Sequence, residues 1–116
     1  MGKLIIPGEL TDLNTYVNAE RTNRFKAAKI KKDETERVYW LAKNLAIHGK
    51  SVYMVYAWYC KNKRKDKDNI VFARKFIQDG LVMAKVITND GWDNIKGFSD
   101  EFQIDAKNPR IEVEIL

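Results

Sequence analysis

Residues 51–60, Ser-Val-Tyr-Met-Val-Tyr-Ala-Trp-Tyr-Cys, constrain the fold more than any other stretch of the chain. They concentrate β-branched and aromatic side chains, the types that pack well on a pleated surface. Apolar residues occupy both alternating sets of positions, so the segment reads as a central strand covered on both faces. A charge run follows at once, Lys61-Asn62-Lys63-Arg64-Lys65-Asp66-Lys67-Asp68. After it, Asn69 to Ala84 returns to a helical period, with Ile70, Ala73, Ile77, Leu81 and Ala84 on one stripe. The run therefore sits where a buried strand hands over to a helix, an edge at which a rigid scaffold can position a functional loop.

The rest of the chain supplies partners for that strand. Lys3 to Ile6 reads as a short strand stopped by Pro7-Gly8. Residues 14 to 47 are helical in pattern, in two parts. The first runs from Asn14 to about Lys31. The second starts from a capping-box-like Asp33 with Glu36, carries Val38, Leu41, Ala42 and Leu45 at helical spacing, and ends near Gly49. Asn89-Asp90-Gly91 is a turn signal, Phe102 to Asp105 and Arg110 to Ile115 read as strands, and Asn108-Pro109 marks the turn between them. In the last strand Ile111, Val113 and Ile115 alternate with Arg110, Glu112 and Glu114, which leaves one face wet. The order β, α, α, β, α and short strands predicts a small α+β domain over residues 1–116, a mixed sheet packed against helices.

Composition narrows the function. With 116 residues one domain is expected, large enough to bury a core without staples. Lys and Arg number 21 against 16 Asp and Glu, and a net charge of +5 favours a polyanionic partner. Cys60 is the one cysteine, so no internal disulfide or cysteine zinc site forms, and its apolar neighbours make it a buried thiol. His48, the one histidine, precedes Gly49 and suits a capping or surface position, which argues against His-based metal triads and a Ser-His-Asp device. Leu4-Ile5-Ile6 is too short for a secretory h-region, no stretch is long and apolar enough to span a bilayer, and the expected compartment is the cytoplasm, with no membrane partner.

The acidic pair inside the basic run has two readings. In the plain one, Asp68 or Asn69 caps the following helix and the cations form a solvated loop. In the functional one, Asp66 and Asp68, two apart in an extended segment, aim their carboxylates at one spot. A hard cation such as Mg²⁺ takes one or two carboxylates plus substrate phosphate, and the neighbouring cations would draw a phosphodiester to it. Asp68 and Lys75 lie nearly two turns apart on one helix face, so the Lys75 ammonium could approach the acidic pair. Lys75 and Asp79 could equally form a surface ion pair, and Asp90, the candidate third carboxylate, could equally be a turn residue.

These residues resemble the RusA family of Holliday-junction resolvases. The resemblance is carried by Arg64-Lys65-Asp66-Lys67-Asp68-Asn69-Ile70, by Lys75 with Asp79-Gly80-Leu81, and by Asn89-Asp90. Pro7-Gly8-Glu9-Leu10 with Leu13-Asn14, the Arg21 to Lys32 region and the final strand extend it over nearly the whole chain. Two positions depart from the pattern. The spacing from Asp68 to Lys75 is longer than in its shortest form, and Asn89 replaces the first acid of an Asp-Asp pair.

The resemblance implies a metal-dependent endodeoxyribonuclease that resolves four-way DNA junctions in recombination and repair, as an intertwined homodimer. It makes Asp66, Asp68 and Asp90 the ligands of Mg²⁺ (with Mn²⁺ as substitute) and Lys75 the catalytic lysine. Lys61, Lys63, Arg64, Lys65, Lys67 and Arg74 are the expected backbone contacts. Tyr53, Tyr56, Trp58 and Tyr59 suit packing, while Phe72 and Trp92 are candidates for contact with unstacked bases. The competing expectations are a branched-DNA-binding protein of weak or no activity on the same scaffold, and a nuclease for other branched DNA.

Overall fold

A computed structural model describes the whole chain, Met1 to Leu116. The elements run β1 (Gly2–Pro7), α1 (Leu13–Thr22), α2 (Arg24–Ala42), β2 (Val52–Cys60), α3 (Lys67–Val71), α4 (Arg74–Met83), β3 (Ile95–Ile104) and β4 (Arg110–Ile115). The fold is α+β, with helices packed against a four-stranded mixed sheet of order β1-β4-β2-β3. β4 lies antiparallel to both β1 and β2, whereas β2 and β3 are parallel. No helix is long and apolar enough to cross a membrane.

β2 is central, as its composition predicts. One face, Val52, Met54, Tyr56, Trp58 and Cys60, is buried and joins Leu4, Ile6, Ile111, Val113 and Ile115 from β1 and β4. Val38, Ala42, Phe76, Ile77 and Leu81 of the helices close over it. The opposite face is a correction. Val55, Ala57 and Tyr59 are only half-buried and Tyr53 is exposed. No helix covers them. The neighbouring β4 residues carry charge there instead, with Lys3–Glu112 at 2.5 Å, Arg110–Glu112 at 2.7 Å and the Arg110 guanidinium 3.8 Å from the Tyr59 ring centroid.

The helical boundaries differ from the sequence pattern for local reasons. The break between the first two helices falls at Asn23, whose extended backbone lets its side chain accept from the Phe25 N–H at 2.9 Å. Asp33, read as a cap, lies inside α2 and pairs with Lys29 one turn earlier at 2.6 Å. α2 ends at Ala42, before Gly49, which forms a bridge with Ile87 instead. A Cβ at Gly49 would meet Val52 Cγ1 at 2.4 Å, so a larger residue there would have to displace the Val52 side chain. The helix expected over Asn69 to Ala84 starts earlier, at Lys67, and is interrupted at Phe72–Ala73. Ala73 N–H donates to Ile70 and Lys75 N–H to Phe72, the tighter three-residue bonds that break a continuous α-helix.

β3 begins at Ile95, seven residues before the expected Phe102. It is an edge strand whose positions alternate poorly between buried and exposed, which hides it from a periodicity reading. Asn108-Pro109 does lie between β3 and β4, but the two strands are not neighbours. The chain crosses the end of β2, where the Asp105 N–H donates to the Cys60 carbonyl at 2.8 Å. Cys60 is buried and free. His48 is exposed, with Nδ1 2.7 Å from the Lys85 carbonyl.

Candidate functional site

The parallel pair β2 and β3 needs a crossover, and α3 and α4 supply it. In open sheets the carboxyl ends of parallel strands form a crevice suited to ligands. Such a groove of about 680 Å³ opens here, between the loop after β2, the start of α3 and the end of β3. Asp66 and Asp68 line it, with Asn62, Lys63 and Lys67 from the charge run and Phe102, Gln103 and Ile104 from β3. The Lys67 ammonium lies 5.1 Å from the Phe102 ring centroid.

Asp66, and neither Asp68 nor Asn69, occupies the N-cap position of α3; its backbone is extended and its side chain makes no cap hydrogen bond. Lys67 and Asp68 are already helical, so the two carboxylates do not share the face that an extended segment would give them. Both still line the one groove. Asp68 Oδ1 accepts from the Asn69 N–H at 2.9 Å, and neither Asp66 nor Asp68 takes part in an ion pair. Both are exposed.

The floor beneath them is built from polar contacts. Asn69 is buried, and its Oδ1 accepts from the Asn14 N–H at 2.8 Å, which ties α3 to the start of α1. Asp12 caps α1 through the Thr15 N–H at 2.8 Å and also holds the Lys65 ammonium at 2.9 Å. Burial alone would raise the Asp12 pKa, but the Thr15 bonds and Lys65 outweigh it and hold the carboxyl below its usual range. Burial also works to lower the Lys65 pKa, and Asp12 with Glu9 reverses that.

Lys65 is thus part of the fold rather than a free cation, contrary to expectation. Arg74 is committed likewise. Its guanidinium donates to Asp100 at 2.7 Å and to the Val71 carbonyl at 3.1 Å, and stacks 4.4 Å from the Phe98 centroid. Lys63, Arg64 and Lys67 are exposed, and Lys61 stands 3.8 Å from Glu9 at the rim.

Asp90 and Lys75 lie elsewhere. The helix is broken between Asp68 and Lys75, and Lys75 makes its contacts with other acids. Its ammonium contacts Asp79 at 3.0 Å and Asp90 at 3.4 Å. The Asp79 hydrogen bond is the largest influence on Lys75 and holds its pKa above the ordinary value, with Asp90 adding to it against burial. Asp90 therefore does not line the groove of Asp66 and Asp68, and no group of three or more His, Cys, Asp or Glu side chains converges to hold a metal ion. Asn89 bonds back to the Asp90 N–H through its side chain at 2.9 Å, as a turn residue does. Phe72 packs against Tyr16 and Phe76, whereas Trp92 is open to solvent.

Sequence reasoning missed the β3 wall of the groove and Asp100, which accepts from both Arg74 and the Trp58 indole N–H at 2.9 Å. Only long-range pairing of β2 with β3 brings those residues in, and no local pattern announces it. Fold and groove define a small basic α+β protein with a two-carboxylate cleft at the carboxyl ends of parallel strands. Neither a protein-family model nor a curated protein sequence matches this chain significantly.

Proposed function

We propose that the chain is a Mg²⁺-dependent endonuclease for branched DNA, in the manner of the RusA resolvases it resembles, with its reacting centre at Asp66 and Asp68. The observation that carries this reading is the pair of exposed, unpaired carboxylates in one groove rimmed by Lys63 and Lys67. The donor set fits Mg²⁺, which binds through one or two carboxylates and completes its shell with water and substrate phosphate. When bound, the ion supplies an activated water and offsets charge on the leaving oxygen.

The protein's own contribution is positional. Asp66 and Asp68 hold the ion at the groove, while Lys63, Arg64 and Lys67 draw in the phosphodiester backbone, contacts that confer affinity without sequence information. The bond from the Asn14 N–H to the buried Asn69 fixes the helix that carries Asp68. The catalytic role of Lys75 requires it to leave Asp79 and Asp90, so charge at the phosphate is offset first by Lys67. A homodimer would present two such grooves to a two-fold junction. The uncovered sheet face with Ile5 and Tyr53, and the free edge of β3, are surfaces available for it.

A specific observation favours a second reading, a branched-DNA-binding protein without activity: Asp90 is neutralised by Lys75 instead of completing a metal site. A labelled synthetic four-way junction separates the two. Cutting in Mg²⁺ or Mn²⁺ that Asp68→Asn abolishes, with binding retained, supports the nuclease. Tight binding with no cutting in either metal overturns it in favour of the binder, and preference for flaps over junctions redirects it to other branched DNA.

A further inference from the structure

A second cavity, of about 400 Å³, lies ahead of β3 and is not part of the carboxylate groove. Its lining includes Gln78, Asp90, Trp92, Lys96 and Phe98. Trp92 is 95% exposed, the most exposed large hydrophobic side chain of the molecule, and it makes no aromatic contact within the chain. An indole left in water beside a cavity is a surface without its partner. Phe98, also exposed, is by contrast held in place, packed edge-on against Tyr56 at 6.2 Å and covered by the Arg74 guanidinium at 4.4 Å.

We infer that this cavity takes one unstacked nucleobase of a DNA strand, against Trp92 and Phe98, with guanine favoured. The inference rests on the nucleic-acid reading above. The open Trp92 indole suits a base, with the partly exposed Phe98 in the same lining, since every base has a π-face and stacking on aromatic side chains is a recurrent mode of single-strand binding. The polar groups supply the choice among bases. Gln78 gives one amide N–H to the Tyr56 hydroxyl at 3.0 Å, which leaves its carbonyl oxygen as an acceptor and one N–H as a donor. The Asp90 carboxylate is a second acceptor, oriented by Lys75 at 3.4 Å. Guanine presents N–H donors on its pairing edge to match them, and its O6 and N7 acceptors suit a lysine such as Lys96. Thymine offers one N–H and matches poorly. Lys96, exposed and without an ion-pair partner, is the cation of the lining that can meet an adjoining phosphate.

The test uses intrinsic fluorescence of the full chain in EDTA, where metal-dependent cutting cannot interfere. Trp40→Phe removes the other exposed indole, while Trp58 stays buried. Single-stranded octamers are titrated: all thymine, thymine with one central guanine, and the same octamer with an abasic site at that position. The expected result is saturable quenching, with the guanine octamer at least about fivefold tighter than the other two. Trp92→Ala, whose affinity is read by the anisotropy of end-labelled octamers because the variant lacks the reporting indole, should weaken the guanine octamer about tenfold, the scale of one stacked base, and abolish the discrimination. Its thermal melt should stay unchanged because the side chain packs against nothing. Equal affinity for guanine and abasic octamers, or unchanged affinity in Trp92→Ala, overturns the inference. The failure of the nuclease reading is seen separately: a junction left uncut in Mg²⁺ by a chain that still discriminates guanine removes that reading and leaves the base pocket standing.

Discussion

Two acidic regions of the molecule use the same residue type in opposite ways. In the groove after β2, Asp66 and Asp68 face solvent with no ion-pair partner, and the nearby cations stand at the rim. Ahead of β3, Asp79 and Asp90 share one ammonium, that of Lys75. A carboxylate without a partner keeps its charge for a cation or a water. A carboxylate already paired must first lose its partner, and the pair's attraction opposes that. The difference teaches that proximity of acids in sequence does not make a metal site; what matters is whether the fold leaves the charge uncompensated.

The sharpest way to break the comparison is to neutralise one acid from each region. Asp68→Asn should lower Mg²⁺-dependent junction cutting by more than about a hundredfold, the scale on which a lost electrostatic group at a reacting centre is felt. Asp90→Asn should lower it only a few-fold. Single-turnover cleavage rates with junction binding measured alongside decide this. An equal loss in both variants would mean that Asp90 joins the groove when DNA binds, and the two regions would then be one site.

The next effect concerns what holds the groove in place. Asn69→Ala removes the side-chain acceptor of the Asn14 N–H, a part-buried hydrogen bond, which should cost about 1 kcal/mol of stability. A drop in Tm of several degrees is expected, together with weaker cutting. On the other side, Gly80→Ala pushes α4 off α2. A Cβ there would meet Val38 Cβ at 2.6 Å and the Thr35 carbonyl at 2.9 Å. Overpacking should cost about 1–3 kcal/mol, reduced by the roughly 1 kcal/mol that alanine gains over glycine in a helix. Because α4 carries Lys75 and Asp79, this variant should disturb the paired cluster more than the groove. Chemical denaturation of both variants checks the order.

How much of this was legible in the sequence follows from range. The central place of β2 and the buried Cys60 were readable from local apolar composition, and the wet face of β4 from local alternation, whereas the open second face of β2 was not. The nearness of Asp66 and Asp68 within a basic run was readable, but their shared extended face was not, because the helix already begins at Lys67. The break at Phe72–Ala73 was not, since Ile70, Ala73, Ile77 and Leu81 keep one apolar stripe through it. Lys75 lies beyond that break and contacts Asp90, so the lysine and Asp90 were misplaced together. The engagement of Lys65 with Asp12, and of Arg74 with Asp100, joins residues far apart in the chain and had no local sign.

The Asp12–Lys65 contact gives the comparison a pH signature. The folded-state pKa of Asp12 is below its ordinary value, so its contribution to stability is present above that value and is lost as pH falls through the folded pKa. Melting temperature should fall below about pH 4. Asp12→Asn, which keeps a cap but lacks the charge, should show a shallower acid slope, with a loss at neutral pH of about 1 kcal/mol or less. An unchanged slope would mean that neither the Thr15 N–H nor Lys65 stabilises the Asp12 charge in solution.

The smallest effect belongs to Lys75. Its folded pKa is raised, chiefly by Asp79, so the stability it contributes is complete below its unfolded value and is lost as pH rises through the folded one. The side chain is 55% exposed, which reduces the pair to a few tenths of a kcal/mol. Lys75→Met should therefore barely move Tm at neutral pH and should remove a small decline above about pH 10. Its effect on the two regions is more telling than its effect on stability. With Lys75 gone, Asp79 and Asp90 both stand unpaired, as Asp66 and Asp68 do, and the cluster becomes a second uncompensated pair of acids. Titration of Mn²⁺ into the variant should then reveal a weak additional cation site, absent from the parent chain and screened by salt. If none is found, the contrast between the regions depends on the shape of the groove as well as on the lysine.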